Sequence, residues 1–469
     1  GPFGAVKGVW ECPDFFPLQV DGKPQQQKWV LVVSVQPLSG QYFIGDFDGK
    51  TFTLDPEFRG ELKQLKKQSV PKGEVLFDFE KDLKGWQIQG TAFSASPAPG
   101  SLKDQNPVLG FMGRKLINSF FQRDESMGEM ISPEFIINKK FLNFLIGGGA
   151  NPEKLSVNLI VDGKTVRTKT GTDAEVLNWA SWDVGEFSGK KAHLQVLDHQ
   201  RGDFGHILLD QVMLSDVAAK TEREKAFWLD YGPDFYAVRS WGNMPLEHQR
   251  RVWTAWLGSW LYIRDVPSNP WKGGHTFPRS VELKRFPEGI RLVQNPIPQI
   301  QNLRGRHFTT APAEVKERMI LNTPATNSYE FSAEFELDKT GKIALNICAD
   351  GNQKTTIAYD AASATLTLDR SHSGRTDFNP SFPALYSAPL KLKNKRLKLH
   401  VLVDQSNVEI FAEDGRVAIT SLIFPDRDAR QISLYPESGS VKLLHFDLWE
   451  INSIWHEKTD SLNPEASRK

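Results

Sequence analysis

Cysteine is almost absent from this chain of 469 residues, which contains only Cys12 and Cys348. Two cysteines cannot form the disulfide framework that is typical of small secreted domains. No apolar run approaches the ~20 residues that a membrane-spanning helix needs. The opening residues, GPFGAVKGVW, have neither the basic segment nor the apolar core of a signal peptide. We therefore expect no membrane span, and thiol chemistry leaves the compartment open.

An excess of charge of either sign is also absent, since 57 Lys and Arg balance 57 Asp and Glu. Proteins that bind nucleic acids or anionic membranes usually carry a basic excess, so we expect neither partner. The 10 histidines show no spacing typical of a zinc site. The sequence predicts no metal and no cofactor.

Helical patterns are scarce, and strand patterns fill most of the chain. Residues 155–161 alternate apolar and polar side chains, as do residues 397–403, which is typical of half-buried strands. Hairpin turns are predicted at three dipeptides, Asp48-Gly49, Asp162-Gly163 and Asp414-Gly415. The one predicted helix is SDVAAKTEREKAFW (215–228), which is rich in Ala, Glu and Lys. The chain is predicted to be all-β.

An unusual carboxylate stands near the start, in the stretch GVWECPDFF, where Glu11 lies between Trp10 and Cys12. Glutamate is depleted in strands, and Pro13 prevents a helix from running through this stretch. On its own, a glutamate beside a tryptophan is more often structural than catalytic. The surrounding motifs decide how it should be interpreted.

Five stretches in a fixed order resemble successive motifs of glycoside hydrolase family 32, the family of invertases, inulinases and levanases. They are WECPDFF (10–16), GQYFIGDFDGKTF (40–52), LDYGPDFYAVRSW (229–241), RVWTAWLGSWLY (251–262) and PWKGGHTFPRSVEL (270–283). The stretch VLVDQSNVEIFAEDGRVAITSLIFP (402–425) is similar to the signature of the β-sandwich that follows the catalytic domain in this family. Apart from residues 74–217, the resemblance spans most of the chain.

The resemblance implies a five-bladed β-propeller followed by a β-sandwich. It also implies retaining hydrolysis of β-fructofuranosides by two carboxyl groups ~5–5.5 Å apart, a nucleophile and an acid/base. By motif match, Glu11 is the acid/base. The same match places five residues at the substrate: Trp10, Cys12, Asp234, Tyr236 and Trp260.

The chain departs from the family in one large respect. The family nucleophile belongs to a Trp-Met-Asn-Asp-Pro-Asn-Gly motif, and a second aspartate belongs to an Arg-Asp-Pro motif. Neither motif occurs in the 469 residues. We therefore expect that the nucleophile is not in this chain, that the first propeller blades are missing from it, and that it is inactive alone.

The predicted domains follow from these motifs and from changes in sequence texture. Residues 1–73 are propeller with the acid/base motif, 74–217 a jelly-roll-like insertion, 218–300 the remaining blades, 301–312 a linker, 313–456 the sandwich and 457–469 a tail. The insertion is interpreted either as a carbohydrate-binding module or as a structural insert. Its tryptophans Trp86, Trp179 and Trp182 are accordingly either sugar platforms or core residues.

The expected function is cleavage of β-fructofuranosidic bonds in fructans or sucrose, with one of these sugars as the partner. One alternative is a non-catalytic fructan-binding protein. A second is a related five-bladed family that acts on arabinans, against which the WECPDFF motif counts. Because such polymers are mostly extracellular, a secreted or periplasmic location is expected. The motifs do not encode linkage preference, exo or endo action, or oligomeric state.

Overall fold

The computed structural model describes residues 4–6, 8–37, 39–65, 70–121, 123–221, 223–242, 251–321 and 323–454. The chain forms two compact units, each made from two stretches. The first unit contains residues 1–9 and 62–226, and the second contains residues 10–61 and 227–469. The predicted tail 457–469 lies outside the described residues. The all-β prediction is confirmed, since strands make up most of both units.

Four strands and a helix open the chain. They are β1 (Trp10–Val20), β2 (Lys23–Val35), β3 (Gly40–Phe47), β4 (Phe52–Leu54) and α1 (Pro56–Gln64). β1, β2 and β3 pair antiparallel in sequence order. β3 and β4 form the hairpin predicted at Asp48-Gly49, in which the N–H of Asp48 donates to the carbonyl of Thr51.

Helix α1 was not predicted, although its start carries clear helix signals. The Oδ1 atom of Asp55 accepts the N–H groups of Glu57 and Phe58, at 3.1 and 3.2 Å. Pro56 takes the first helical position, where its missing N–H has no intrahelical partner to lose. No helix among the described residues is long and apolar enough to cross a bilayer.

The first unit consists of two sheets. Its strands are β5 (Glu74–Phe77), β6 (Gln87–Gly90), β7 (Ile117–Asn118), β8 (Gly128–Ile131), β9 (Phe135–Ile136), β10 (Phe141–Gly148), β11 (Leu155–Val161), β12 (Lys164–Lys169), β13 (Ala174–Asp183), β14 (Lys191–Asp198) and β15 (Ile207–Ser215), with a 3-10 helix at Gly185–Phe187. One sheet has the order β13-β10-β15-β5, with β7 also on β15. The other has the order β12-β11-β14-β8-β6, with β9 also on β14. Both sheets contribute to one hydrophobic core.

The hairpin β11–β12 confirms two sequence predictions. Asp162 and Gly163 both have left-handed backbone, with φ of 51° and 72°, as a tight two-residue turn requires. The alternating apolar residues of β11 are all buried in the core: Leu155, Val157, Leu159 and Val161.

The predicted helix at 215–228 is wrong for the described residues of that stretch, which include no helix. The side chain of Asn143 bonds the backbone here, donating to the carbonyl of Val217 and accepting the N–H of Ala219, both at 3.0 Å. These bonds fix groups that a helix would need for its own ladder. Local helix propensity is a weak preference that such tertiary bonds override.

The remaining strands belong to the second unit. They are β16 (Tyr236–Ser240), β17 (Arg251–Leu257), β18 (Gly274–His275), β19 (Arg279–Phe286), β20 (Gly289–Pro296), β21 (Arg304–Thr310), β22 (Ala313–Glu314), β23 (Met319–Ile320), β24 (Tyr329–Leu337), β25 (Lys342–Ala349), β26 (Lys354–Asp360), β27 (Thr365–His372), β28 (Leu385–Pro389), β29 (Arg396–Asp404), β30 (Asn407–Ala412), β31 (Val417–Leu422), β32 (Gln431–Ser438) and β33 (Val441–Ile451), with a 3-10 helix at Pro298–Leu303.

The strands of the predicted propeller form one nine-stranded sheet. Its order is β16-β17-β19-β1-β2-β3-β4, with β18 on β17 and β20 on β19. β1 pairs parallel with β19, and this pairing joins the two stretches of the second unit, residues 10–61 and 227–469. No closed sheet occurs among the described residues, so the five blades and their incompleteness stay predictions.

β21 to β33 form two sheets around one core. One has the order β21-β33-β24-β29-β30-β31, with β22 on β33, and the other has the order β23-β32-β25-β26-β27-β28. Phe331 and Val401 from the first sheet and Leu345 and Leu368 from the second belong to the same buried cluster. The hairpin predicted at Asp414-Gly415 is confirmed, and it joins β30 to β31.

Candidate active site

A β-bulge positions Glu11. The register between β1 and β2 slips between Glu11 and Asp14, so Cys12 and Pro13 together oppose a single residue of β2. Cys12 has left-handed backbone, with φ of 50°. Bulges bend a strand and redirect its side chains, and they are frequent beside active sites. The bulge explains how a strand tolerates both a glutamate and a proline here.

Strand β16 holds the bulge in place. Arg239 donates from Nη1 to the carbonyl of Pro13 at 3.1 Å. The N–H of Ser240 donates to Oδ2 of Asp14 at 2.9 Å. Sequence reasoning missed Arg239 and Ser240, although both lie in the motif 229–241, because each acts on a residue 226 positions away.

β16 also brings Tyr236 to Glu11. The hydroxyl of Tyr236 donates to Oε2 of Glu11 at 2.5 Å. Burial raises the pKa of Tyr236 well above its ordinary value, and the hydrogen bond and charge of Glu11 raise it further. The phenol is therefore protonated near neutral pH and is the donor in this pair. Among the described residues, Oε1 of the half-buried Glu11 has no hydrogen-bond partner.

Two tryptophans extend this pair into an aromatic wall. Tyr236 lies directly opposite Trp256 in the β16–β17 ladder, and the two ring centroids are 6.3 Å apart. Trp256 in turn contacts Trp260, with centroids 5.0 Å apart. Trp260 is 51% exposed, so its ring offers free apolar surface to a ligand. The fold thus connects three of the predicted residues, Glu11, Tyr236 and Trp260, through Trp256.

Trp10 and Cys12 flank Glu11 in the chain. Trp10 is 39% exposed, and its ring centroid lies 5.7 Å from that of Phe43. Cys12 is a half-buried free thiol. No group of three or more His, Cys, Asp or Glu side chains among the described residues is placed to hold a metal ion.

Asp234 is arranged differently from the other predicted residues. It is fully buried, and its carboxylate accepts the hydroxyl of Tyr262 at 2.7 Å, Nη1 of Arg370 at 2.9 Å and the N–H of Leu422 at 2.8 Å. Arg370 lies on β27 and is also fully buried. This geometry gives Asp234 a structural task between the nine-stranded sheet and the sandwich, and its predicted contact with substrate stays a prediction.

Other aspartates near the motifs are also occupied. Asp46 forms an ion pair with Lys28 at 2.9 Å. The carboxylate of Asp230 accepts Nη1 of Arg279 at 3.0 Å and the hydroxyl of Thr420 at 2.6 Å. With Asp14 bonded to β16, each of these three carboxylates has a structural partner.

The three tryptophans of the first unit pack against apolar neighbours. Trp86 contacts Phe77, with ring centroids 5.1 Å apart, and Trp182 contacts Phe144, with centroids 4.6 Å apart. Trp182 is 8% exposed, and Trp179 packs against a second buried cluster. These contacts favour the core alternative for all three, whose role as sugar platforms stays a prediction.

Comparison with known families accounts for this arrangement of motifs. The description "Glycosyl hydrolases family 32 N-terminal domain" matches residues 3–70 and 163–296, and "Glycosyl hydrolases family 32 C terminal" matches residues 299–450. The chain belongs to glycoside hydrolase family 32. Both Glu11 and Tyr236 lie in stretches that match the family 32 N-terminal domain. Residues 71–162, which match neither description, fall largely within the predicted insertion.

Individual family 32 relatives include fungal and bacterial proteins. The protein ecdE of Aspergillus rugulosus is 36% identical over 97% of this chain and 66% of its own length. A levanase of Bacillus subtilis is 37% identical over 49% of this chain and 35% of its own. An extracellular exo-inulinase of Aspergillus awamori is 30% identical over 49% of this chain and 44% of its own. The chain therefore spans between about a third and two thirds of these relatives.

Proposed function

We propose that this chain supplies the acid/base side of a retaining glycosidase site that cleaves β-fructofuranosidic bonds in fructans or sucrose. The observation that carries the proposal is the contact of Tyr236 with Glu11 on the bulge, beside the exposed Trp260. Relatives named levanase and exo-inulinase support fructan as the substrate class. An incomplete five-bladed propeller is the corresponding proposal for the nine-stranded sheet.

In this mechanism Glu11 moves one proton in each of two steps. As a carboxylic acid, it gives its proton to the glycosidic oxygen as the bond to the fructosyl carbon breaks and a nucleophilic carboxylate takes that carbon. As a carboxylate, it then removes a proton from the water that releases fructose. Tyr236 keeps its own proton and fixes Oε2, which leaves Oε1 for the leaving oxygen and the water.

The nucleophile is proposed to lie outside these 469 residues. The family motif that would carry it is absent from the sequence, and the carboxylates of Asp14, Asp46, Asp230 and Asp234 are occupied by structural partners. Removal of a nucleophile commonly lowers kcat by several orders of magnitude. The chain as given should therefore release no fructose at an ordinary glycosidase rate.

The deciding experiment measures fructose release from sucrose, inulin and levan by two proteins. One is the chain as given, and the other is the same chain with the nucleophile-bearing segment of a family 32 levanase fused before it. Circular dichroism must show that both are folded. We expect release by the fusion alone, and Glu11→Gln in the fusion should abolish most of it. Asp46→Asn, which changes an exposed carboxylate, is the matched control.

Each alternative has its own outcome. Fructose release by the chain as given would overturn the proposal that the nucleophile lies outside these 469 residues. Equal release by the fusion with Glu11 and with Glu11→Gln would overturn the acid/base assignment. A folded fusion that binds fructan but never releases fructose would favour the non-catalytic fructan-binding protein. Carbohydrate binding by the insertion is a separate proposal, tested by comparing polymer binding of the chain with and without residues 74–217.

A further inference from the structure

A groove lies on the sandwich, far along the chain from Glu11. The sheet β23-β32-β25-β26-β27-β28 turns one face to the core, with Leu345 of β25 and Leu434 of β32 fully buried in it. Asn346 follows Leu345 and Tyr435 follows Leu434, so the side chains of Asn346 and Tyr435 lie on the opposite face of the sheet. They line a groove of about 760 Å³ together with Arg318, Asp350, Gln353 and His372. Ligand pockets typically measure ~300–1,000 Å³.

Polar side chains form the floor of this groove. The hydroxyl of Thr356 donates to Oδ1 of Asn346 at 2.9 Å. Tyr435 lies diagonally across the β25–β32 ladder from Asn346, which is opposite Ser433. Burial raises the pKa of Tyr435, so its hydroxyl stays protonated near neutral pH. That proton is available for an acceptor in the groove, and the half-buried ring offers a flat apolar face beside it.

One rim of the groove is rigid. The side chain of Gln353 donates to Asp350 at 2.9 Å and to Asp426 at 2.8 Å, and it accepts the N–H of Asp426 at 2.9 Å. Asp350 also accepts the N–H of Asn352 at 2.7 Å. These hydrogen bonds hold the loop 350–353 before any ligand arrives. A preorganised rim reduces the ordering that binding would otherwise require.

The charges of the groove balance. Glu317 and Asp350 carry negative charge, and Arg318 and Lys354 carry positive charge. A phosphate would meet the carboxylates, and an apolar ligand would leave the amides and charges unpaired. A neutral molecule with many hydroxyls can accept from Lys354 and Arg318 and donate to the carboxylates. The exposed side chains of His372 and Lys354 have no hydrogen-bond partner in the described part of the chain, so neither needs to break a protein contact to bind.

We propose that this groove binds a neutral carbohydrate chain, as a site separate from the candidate active site. Tyr435 supplies the stacking face, and Asn346, Arg318 and His372 supply hydrogen bonds to sugar hydroxyls. The proposal rests on the proposed function only for the choice of fructan as its probe. A polymer held here would raise the local concentration of substrate around the chain.

The test is electrophoresis of the full chain in native gels that contain inulin or levan, with dextran gels as the polymer control. The test variant carries Lys354→Ala and His372→Ala, two exposed positions whose loss should not affect folding. Its control carries Lys391→Ala and Lys442→Ala, which remove two exposed side chains outside both the groove and the insertion. Tyr435→Phe removes the groove hydroxyl alone. Trp260→Ala reports separately on the candidate active site.

We expect the double groove variant to need about two- to tenfold more fructan for half-maximal retardation for each hydrogen bond lost. The control variant should match the wild type, and Tyr435→Phe should also weaken retardation. This result would stand even if the fusion protein released no fructose, so the two proposals fail separately. Unchanged retardation of both groove variants would overturn the proposal, as would loss of all retardation in Trp260→Ala alone. Competition by inorganic phosphate would identify an anion site instead and would also overturn it.

Discussion

Replacing Asp234 by asparagine removes one negative charge from a fully buried position and leaves the shape of the side chain almost unchanged. The guanidinium of Arg370, also fully buried, then keeps its positive charge with no counter-charge at 2.9 Å. Arg370 retains neutral partners, the carbonyl of Phe382 at 2.7 Å and the hydroxyl of Tyr386 at 3.0 Å. Because breaking a buried ion pair on one side costs about 3–5 kcal/mol, we expect Asp234→Asn to lower the free energy of unfolding by this amount.

Urea unfolding followed by tryptophan fluorescence measures this loss. With an m-value of about 3 kcal/mol per molar urea, the midpoint of the second unit should fall by on the order of 1–2 M. Asp46→Asn, in the exposed pair with Lys28, should change the free energy by less than about 1 kcal/mol. The double variant Asp234→Asn/Arg370→Met should recover part of the loss, since it removes the unpaired charge.

The result that would refute this reasoning is specific. If Asp234→Asn unfolds at the wild-type urea concentration but no longer binds fructose or fructan, the carboxylate acts on the ligand. The substrate contact predicted from the motif would then be correct, and the buried geometry would be a poor guide to the role of Asp234.

Three further predictions concern stability. Burial raises the pKa of Asp198 to about 7, so this carboxyl should lower stability by on the order of a few kcal/mol as pH rises from about 4 to 7. In urea unfolding at pH 5 and pH 8, Asp198→Asn should remove this share of the loss, while Asp210, whose pKa burial also raises to about 7, should keep its own share. The pKa of Glu330 is shifted in the opposite direction. Burial opposes the charge of this carboxylate, but Arg304 and His400 lower its pKa to about 2. Arg304 donates to it from two nitrogens, both at 2.7 Å. Glu330→Gln should therefore cost up to about 3 kcal/mol at pH 7 and progressively less as pH falls from 4.5 towards 2; an equal cost at both pH values would contradict this. Gly45→Ala should lower the thermal midpoint of unfolding, since its Cβ would lie 2.2 Å from the carbonyl oxygen of Thr53. Gly49→Ala is the comparison for backbone strain alone, because its Cβ would meet no atom within 4 Å although its φ is 94°.

Local chemistry explains which parts of the fold were predictable. The turn at Asp162-Gly163 needs left-handed backbone at two adjacent residues, which few other dipeptides supply, and the alternation of β11 follows from one buried face. Helix α1 carried equally local signals in Asp55 and Pro56, so it could have been predicted from sequence although it was not. Helix propensity at 215–228 failed because Asn143, more than 70 residues earlier, bonds that backbone.

The candidate site was predictable only in its parts. Motifs marked Glu11, Tyr236 and Trp260 separately, and no spacing rule could show that the hydroxyl of Tyr236 meets Oε2 of Glu11 across 225 residues. The bulge at Cys12 depends on the register between β1 and β2, and this register cannot be deduced from the sequence. Asp234 shows the reverse problem, because a motif position can be occupied by an ion pair whose arginine lies 136 residues away.

The second unit is made from two stretches of chain, residues 10–61 and 227–469, and this affects its folding during synthesis on the ribosome. Glu11 leaves the exit tunnel with β1, and Tyr236 follows 225 residues later. At about 5–20 residues per second, this interval lasts about 11–45 s. Throughout it the edge of β1 that will join β19 has no partner, while the whole of the first unit is synthesised and free to fold. The nascent chain must therefore keep an open strand edge from aggregating until residues 279–286, which form β19, have been translated.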